Sequence, residues 1–390
     1  MPERTSWFAS PIAFLALAAC GPLHHTAVRP ELLDPRTGRA SAPLPGAGGD
    51  RLRVALYGDA QGNRPVHRAV VAAIAREHPD LVLFLGDAVD CLPVGHMPDL
   101  FGWQYLVPFW PQYIRDYPAV SLASIVPFPA AIHETLLGPV APPRDAAGLN
   151  GFLEDSAPLR QAVPYLFAPG NHDQYHRFDR DEFERYLGPP PGSGRAGGEL
   201  WYSVDLSGWR FIVLDTGNEL LGDRDPLAKG GPQLAWLDAQ LDGAARSGLR
   251  AIVMLHIPPF SSGREEGGAR WIQERVVEGV LDRHPVALVL SGHVHAYERL
   301  ERPGHGGRPL TYVVSGGGGG RFFHEAKVPD PRSIVFIEGV RHFVLLELSP
   351  EGIEGVMIPV AIPGAGEAPA AVAPASAAQT PGDRFAIDLR

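Results

Sequence analysis

The sequence predicts an α/β protein: a four-layer α/β/β/α sandwich in which two mixed β-sheets are flanked by helices. Three observations predict it. Short apolar runs alternate with amphipathic helical stretches in the order βαβ…ββαβαβ and finish in strands, the pattern of packed α/β layers. Two runs joined by Ser207-Gly208 form a hairpin, which introduces antiparallel pairing. Polar clusters sit just after the apolar runs, at the carboxyl ends of strands, where α/β folds gather their ligands.

Taken in order, residues 52–57 read as a strand, 66–77 as a helix and 81–85 as a second, fully apolar strand. Residues 165–168 form a third. The hairpin joins residues 200–206 to 209–215. Residues 233–246 make an amphipathic helix with Leu234, Leu237 and Leu241 on one face. Residues 251–255 and 286–290 are buried strands with a helix at about 269–283 between them, and 311–314 and 343–348 add further strands.

Outside this alternation the composition changes. Residues 1–20 have the shape of a lipoprotein-type signal peptide: a short apolar stretch ending in Leu17-Ala18-Ala19-Cys20, too short for a membrane span. The expectation is export across an inner membrane, lipidation of Cys20, and a periplasmic or outer-membrane-associated protein. Residues 21–50 are rich in Pro, Gly and Ala and read as a flexible linker. Residues 361–390 read as an Ala/Pro-rich, disordered tail. The folded domain is expected at 51–360, with an insertion at about 92–160 that concentrates Phe101, Trp103, Tyr105, Phe109, Trp110 and Tyr113. That insertion is a lid or substrate wall, a subdomain with its own core, or a membrane-leaning patch. Cys91 reads as a buried thiol or a neighbour of the site.

Composition is ordinary for a globular protein, with 45% hydrophobic and 20% charged residues. The net charge of −10 argues against a protein built to hold a nucleic-acid backbone. A small phosphate substrate is not excluded, because bound cations invert the local field.

The chemistry lies in five clusters: Gly58-Asp59-Ala60-Gln61, Gly86-Asp87-Ala88-Val89-Asp90, Gly170-Asn171-His172-Asp173, His256-Ile257-Pro258-Pro259 and Gly292-His293-Val294-His295. Carboxylates, an amide and imidazoles from successive strand ends suit two adjacent divalent cations. Asp87 is the natural bridge. With Asn171, His256 and His293 it makes one site; with Asp59 and His295 it makes the other. Two cations roughly 3.5–4 Å apart would hold a bridging hydroxide for in-line attack on a phosphate ester. His172 is placed to donate a proton or stabilise charge, and Asp173 to orient the His172 imidazole. His293 and His295 alternate, so a regular strand would point them apart; a loop or irregular strand end is required.

These clusters resemble the calcineurin-like metallophosphoesterase superfamily, and more closely its purple-acid-phosphatase-like branch. Leu214-Asp215-Thr216, Trp236-Leu237, the extension Ala296-Tyr297-Glu298-Arg299 and the stretch from Tyr312 to Gly318 carry the resemblance further. It implies a dinuclear centre of Fe, Mn or Zn and hydrolysis of phosphomonoesters or phosphodiesters. The sequence departs from the pattern twice. Gln61 stands where most of the superfamily carries histidine, and Asp90 stands where purple acid phosphatases carry a metal-binding tyrosine. Gln61 or Asp90 then substitutes as an additional oxygen ligand, or Asp90 stands behind the ligands, and the missing tyrosine implies no purple colour. The competing functions are a diesterase acting on nucleotides or lipid head groups, and a surface lipoprotein that cages metal without turnover.

Overall fold

The computed structural model describes residues 28–44, 49–89, 148–174, 177–194, 199–217, 225–263, 268–320, 329–362 and 382–390. The chain separates into two compact units, residues 1–27 with 90–148 and residues 28–89 with 149–390, and the second is described here. The signal stretch with Cys20, Asp90, Cys91 and the aromatic run 101–113 lie outside the described residues.

Thirteen strands form two mixed sheets among the described residues. The first orders β13 (Arg384–Asp388), β12 (Gly352–Pro359), β11 (His342–Leu348), β1 (Leu52–Tyr57), β2 (Leu81–Phe84) and β3 (Tyr165–Phe167). β1, β2 and β3 run parallel, and β11 to β13 extend the sheet antiparallel. The second orders β10 (Ser333–Glu338), β8 (Ala296–Pro303), β9 (Pro309–Ser315), β7 (Val286–Ser291), β6 (Arg250–Met254), β5 (Trp209–Val213) and β4 (Tyr202–Leu206).

Alternation along each strand builds the layers. Val54 and Leu56 of β1 and Leu81 and Leu83 of β2 face Phe211, Val213, Ile252, Met254, Leu288 and Leu290 of the second sheet in one inter-sheet core. The opposite face of the second sheet, with Ile212, Val253, Leu255 and Val289, packs on helix α4 (Pro232–Arg246) through Leu234, Leu237 and Leu241. Outside the first sheet, Tyr57 and Phe84 meet His67 of α1 (Arg64–Arg76) and Phe152 of α2 (Gly148–Arg160). Because both faces of the central strands are covered, they are continuously apolar. The expected four layers are present. Helix α3 (Arg177–Glu182) continues into a π-turn, Phe183–Leu187.

The β4–β5 hairpin turns on Ser207 and Gly208, both with positive φ (49° and 81°), which matches the strand twist. The hydroxyl of Tyr202 covers the edge of β3, accepting the Phe167 N–H at 3.0 Å and donating to the Phe167 carbonyl at 3.1 Å.

Several expectations need correction. The tail 361–390 is not wholly disordered: β13 pairs with β12 from Gly352↔Asp388 to Val356↔Arg384. Phe385 and Ile387 pack on the inter-sheet core, and this alternating pattern is hidden behind an Ala/Pro-rich stretch. Nor is the linker 21–50 a free tether. Buried Arg160 donates to the carbonyls of Leu32 and Ala40, docking residues 28–44 on the domain. The insertion expected to run to about 160 ends earlier, since α2 is part of the outer helical layer. The helix expected at 269–283 is broken into α5 (Arg270–Ile272), a π-turn at Gln273–Val277 and a 3-10 turn at Leu281–Arg283. Charged residues concealed β8, and the short runs of β10 and β12 were not recognised as strands.

Candidate metal centre

Each polar cluster begins where a strand ends, so the chain must reverse sharply at the layer edge. Asp59 follows β1, Asp87 follows β2 and His293 follows β7, and all three have positive φ, at 62°, 58° and 69°. Gln61 joins them at 41°. Such conformations are costly for residues with a Cβ and persist where the surroundings impose them, typically at functional sites. Glycine allows the close approach at Gly170, where a Cβ would stand 2.1 Å from Asp87 Oδ1. His293 and His295 lie on an irregular segment before β8 begins at Ala296, which lets both face the site.

The first group of donors converges tightly. Asp87, His256 and His293 offer ligand atoms within 4.8 Å of one another. Asn171 Oδ1 lies 2.9 Å from His256 Nε2 and 3.0 Å from His293 Nδ1. His256 Nε2 is 3.3 Å from Asp87 Oδ1 and 3.2 Å from His293 Nδ1. The other nitrogen of His256 donates to the Leu85 carbonyl at 2.7 Å, which in the neutral ring leaves the Nε2 lone pair aimed at the cluster. Lone pairs of an amide oxygen, two imidazoles and a carboxylate thus face one point. This donor set fits a divalent cation.

The second group adjoins it. His295 Nε2 stands 3.5 Å from Asp59 Oδ1, and both Asp59 oxygens accept the His293 N–H at 3.0 Å. Asp59, Asp87 and His256 are buried. Asp59, His295 and the far oxygen of Asp87 are the donors on offer to a second cation. On that oxygen Gln61 donates its Nε2–H at 3.1 Å, so Gln61 steadies the bridging carboxylate. The ligand role expected of its carbonyl is not the contact it makes here.

Electrostatics follow from this crowding. Burial opposes a charge on Asp87, yet the His256 and His172 imidazoles outweigh it and hold the carboxyl well below the usual carboxylate range. Burial likewise opposes charge on His256, but Asp87 overrides it and raises the ring to about 10. Burial, reinforced by His256, holds His293 well below its ordinary value. The buried Asp87 charge thus calls for a positive partner beside it, which a divalent cation would supply.

His172 sits over this centre on a 3-10 turn, His172–Gln174. Its N–H donates to Asp87 Oδ1 at 2.9 Å, and its Nε2 is 3.8 Å from Asp87 Oδ2. The turn is braced from behind: Gln174 donates to Asp215 Oδ1 at 3.0 Å, and Asp215 is fastened to Gln233 of α4. Sequence reasoning missed this bracing.

The role expected of Asp173 is corrected. Its carboxylate faces the backbone, taking the N–H groups of Asp87 and Gly170 on Oδ2 and of Ala88 on Oδ1, each at 2.9 Å. It orients two ligand loops, and these bonds do not run to the His172 imidazole. Burial and the neighbouring Asp87 charge push Asp173 up to about 7. A carboxylate reaching back to the N–H three residues earlier at the start of its turn is a common local motif, and that was the available signal.

Comparison with known proteins agrees with this geometry. Residues 52–297, more than half of the chain, match the family model described as calcineurin-like phosphoesterase. Purple acid phosphatase 23 of Arabidopsis thaliana is 26% identical over 266 residues, 67% of this chain and 50% of that protein. Phosphoenolpyruvate phosphatase of Allium cepa is 29% identical over 181 residues, 45% of this chain and 34% of that protein. The chain thus spans half or less of the length of these curated relatives. The solved structure of purple acid phosphatase PPD1 from yellow lupin (Lupinus luteus) shares the fold, with a TM-score of 0.53 at 18% identity over 81% of this chain and 52% of that one. By fold, by donor set and by the family match, this chain belongs to the calcineurin-like phosphoesterase family.

Proposed function

We propose that this protein is a dinuclear-metal-dependent phosphoesterase acting on small phosphate esters. One observation carries the reading: Asp87, Asn171, His256 and His293 aim their lone pairs at one point, while Asp59 stands beside His295 and accepts the His293 N–H. Two divalent cations, when bound, would supply Lewis-acid activation and neutralise charge on a phosphoryl group.

The remaining steps belong to the chain itself. Asp59, Asp87, Asn171, His256, His293 and His295 would hold the cations, with Asp87 as the shared ligand. The Leu85 carbonyl keeps His256 in the tautomer that presents Nε2. His172, beside the bridging carboxylate and partly open to solvent, would donate a proton to the leaving oxygen or a hydrogen bond to the transferring group. A pure metal cage has no use for such an imidazole, which favours turnover over the caging alternative.

Steady-state hydrolysis of p-nitrophenyl phosphate and of its bis-ester, with Mn²⁺, Fe²⁺ or Zn²⁺ added, tests the reading. Metal-dependent release of p-nitrophenol from either ester supports it, and metal binding without turnover on both would leave the cage. The export reading rests on Leu17 to Cys20 and is tested separately by palmitate labelling of the parent chain and of Cys20→Ser.

A further inference from the structure

The stretch Tyr297-Glu298-Arg299 has no part in the chemistry above, yet Glu298 is fully buried on β8. Its carboxylate takes three donors: the Ser262 hydroxyl on Oε1 at 2.6 Å, and the Ser261 hydroxyl and Ser262 N–H on Oε2 at 2.9 and 2.8 Å. Each hydroxyl is used twice. Ser261 Oγ also accepts the Gly263 N–H at 3.0 Å, and Ser262 Oγ accepts the Asp330 N–H at 2.9 Å. An ionised carboxylate only accepts, so it sets the direction of every bond in this relay. Removing it would leave three buried donors unanswered.

What the relay holds lies beside the metal centre. Residues 258–263 follow His256 after Ile257, and Gly263 is pressed onto the side chain of Val294, the residue between His293 and His295. A Cβ at Gly263 would stand 2.8 Å from Val294 Cγ1. On the other side, Asp330 belongs to the segment that enters β10. Phe260 in the same loop lies under the Arg332 guanidinium at 3.9 Å and meets the Tyr312 ring edge-on at 5.1 Å. One buried acid thus seats the chain leaving His256 against the Val294 side chain, between two imidazole ligands.

We propose that Glu298 is a positioning residue for the substrate: through Ser261 and Ser262 it seats residues 258–263 as a wall beside His293 and His295, and so governs how a phosphate ester is held. It touches neither cation nor reacting atoms. The proposal rests on the phosphoesterase reading, and its test separates the two.

The metal-loaded full chain is compared with Glu298→Ala, Glu298→Gln and Ser262→Ala. The readouts are amide exchange at Ser262, Gly263 and Asp330, metal content, kcat and KM for p-nitrophenyl phosphate, and the calorimetric Kd for inorganic phosphate. Expected are faster exchange and a rise of about tenfold in KM and in phosphate Kd, with kcat and metal content within about twofold. Glu298→Gln, which keeps one acceptor oxygen, falls between parent and Glu298→Ala. Faster exchange with KM and phosphate Kd unmoved would overturn the proposal, as would a joint fall in metal content and kcat. A parent chain without turnover counts against the phosphoesterase reading alone; phosphate Kd then decides on Glu298. If Glu298→Ala does not fold, the other two variants carry the test.

Discussion

Asp173 holds Asp87 by the backbone: its Oδ2 accepts the Asp87 N–H at 2.9 Å while its Oδ1 accepts that of Ala88 at the same distance. The same Oδ2 takes the Gly170 N–H, so one carboxylate pins both loops that carry Asp87 and Asn171. The Asp87 it holds has a positive φ of 58°. Asn at this position presents one acceptor oxygen, and its amide group faces an N–H donor. Asp173→Asn is expected to weaken metal binding about 10–100-fold, measured by calorimetric titration with Mn²⁺. Unchanged metal affinity would show that the loops hold without this clamp.

His172 and Asp87 are neighbours with separable roles. His172→Ala should lower kcat by about 10²–10⁴-fold while metal content stays at the parental level. Asp87→Ala should lose metal and activity together, because the shared ligand is gone. Metal analysis by plasma emission beside steady-state kinetics distinguishes them; full metal content in the Asp87 variant would refute the bridging assignment.

Gly170 has no room for a methyl group, since a Cβ would overlap Asp87 Oδ1. Gly170→Ala is expected to displace the bridging carboxylate and abolish binding of at least one cation, read by the same metal analysis. Gly170 lies in the loop after β3, outside every helix and strand, so far-ultraviolet circular dichroism should remain parental.

Two buried histidines make the fold acid-sensitive. Burial holds His67 and His342 down to about 4, so both are neutral when folded. The unfolded chain binds these protons near pH 6.5, before the native state does. Stability therefore falls as pH drops from about 6.5 to about 4, and levels off below the folded values. Each contributes up to about 3 kcal/mol across that window. Urea unfolding of the metal-free chain at pH 7, 5.5 and 4.5 reads the slope, and His67→Gln should reduce it by about one proton.

Asp383 ties the C-terminal strand to the second sheet. It accepts from the Tyr297 hydroxyl at 2.8 Å and from Arg299 Nε at 2.6 Å, with little of either ion-pair partner exposed. Asp383→Ala leaves the buried Tyr297 phenol without its acceptor and the Arg299 guanidinium with only Glu301 at 3.5 Å, and should cost about 3 kcal/mol in urea unfolding. A loss under about 0.5 kcal/mol would mark β13 as a loosely attached edge.

The amino-acid sequence alone determined the layer order and the identity of the six metal-binding candidates. Both are local signals: strands covered on two faces must be apolar throughout, and each donor stands within a few residues of a strand end. Tertiary structure decided what long-range contacts control. The direction of the Asp173 carboxylate depends on loops that meet only after β2 and β3 pair, and Gln61 finds Asp87 only across the β1–β2 edge. Residues 28–44 read as linker because their own apolar content is low, and β13 read as tail because its short alternating run follows an Ala/Pro-rich stretch. They are ordered by Arg160 and by pairing with β12, partners 120 and more positions from Ala40 in one case and across an Ala/Pro-rich stretch in the other. Period and composition register neighbours along the chain, whereas hydrogen-bond partners are chosen by what the folded layers bring within about 3 Å.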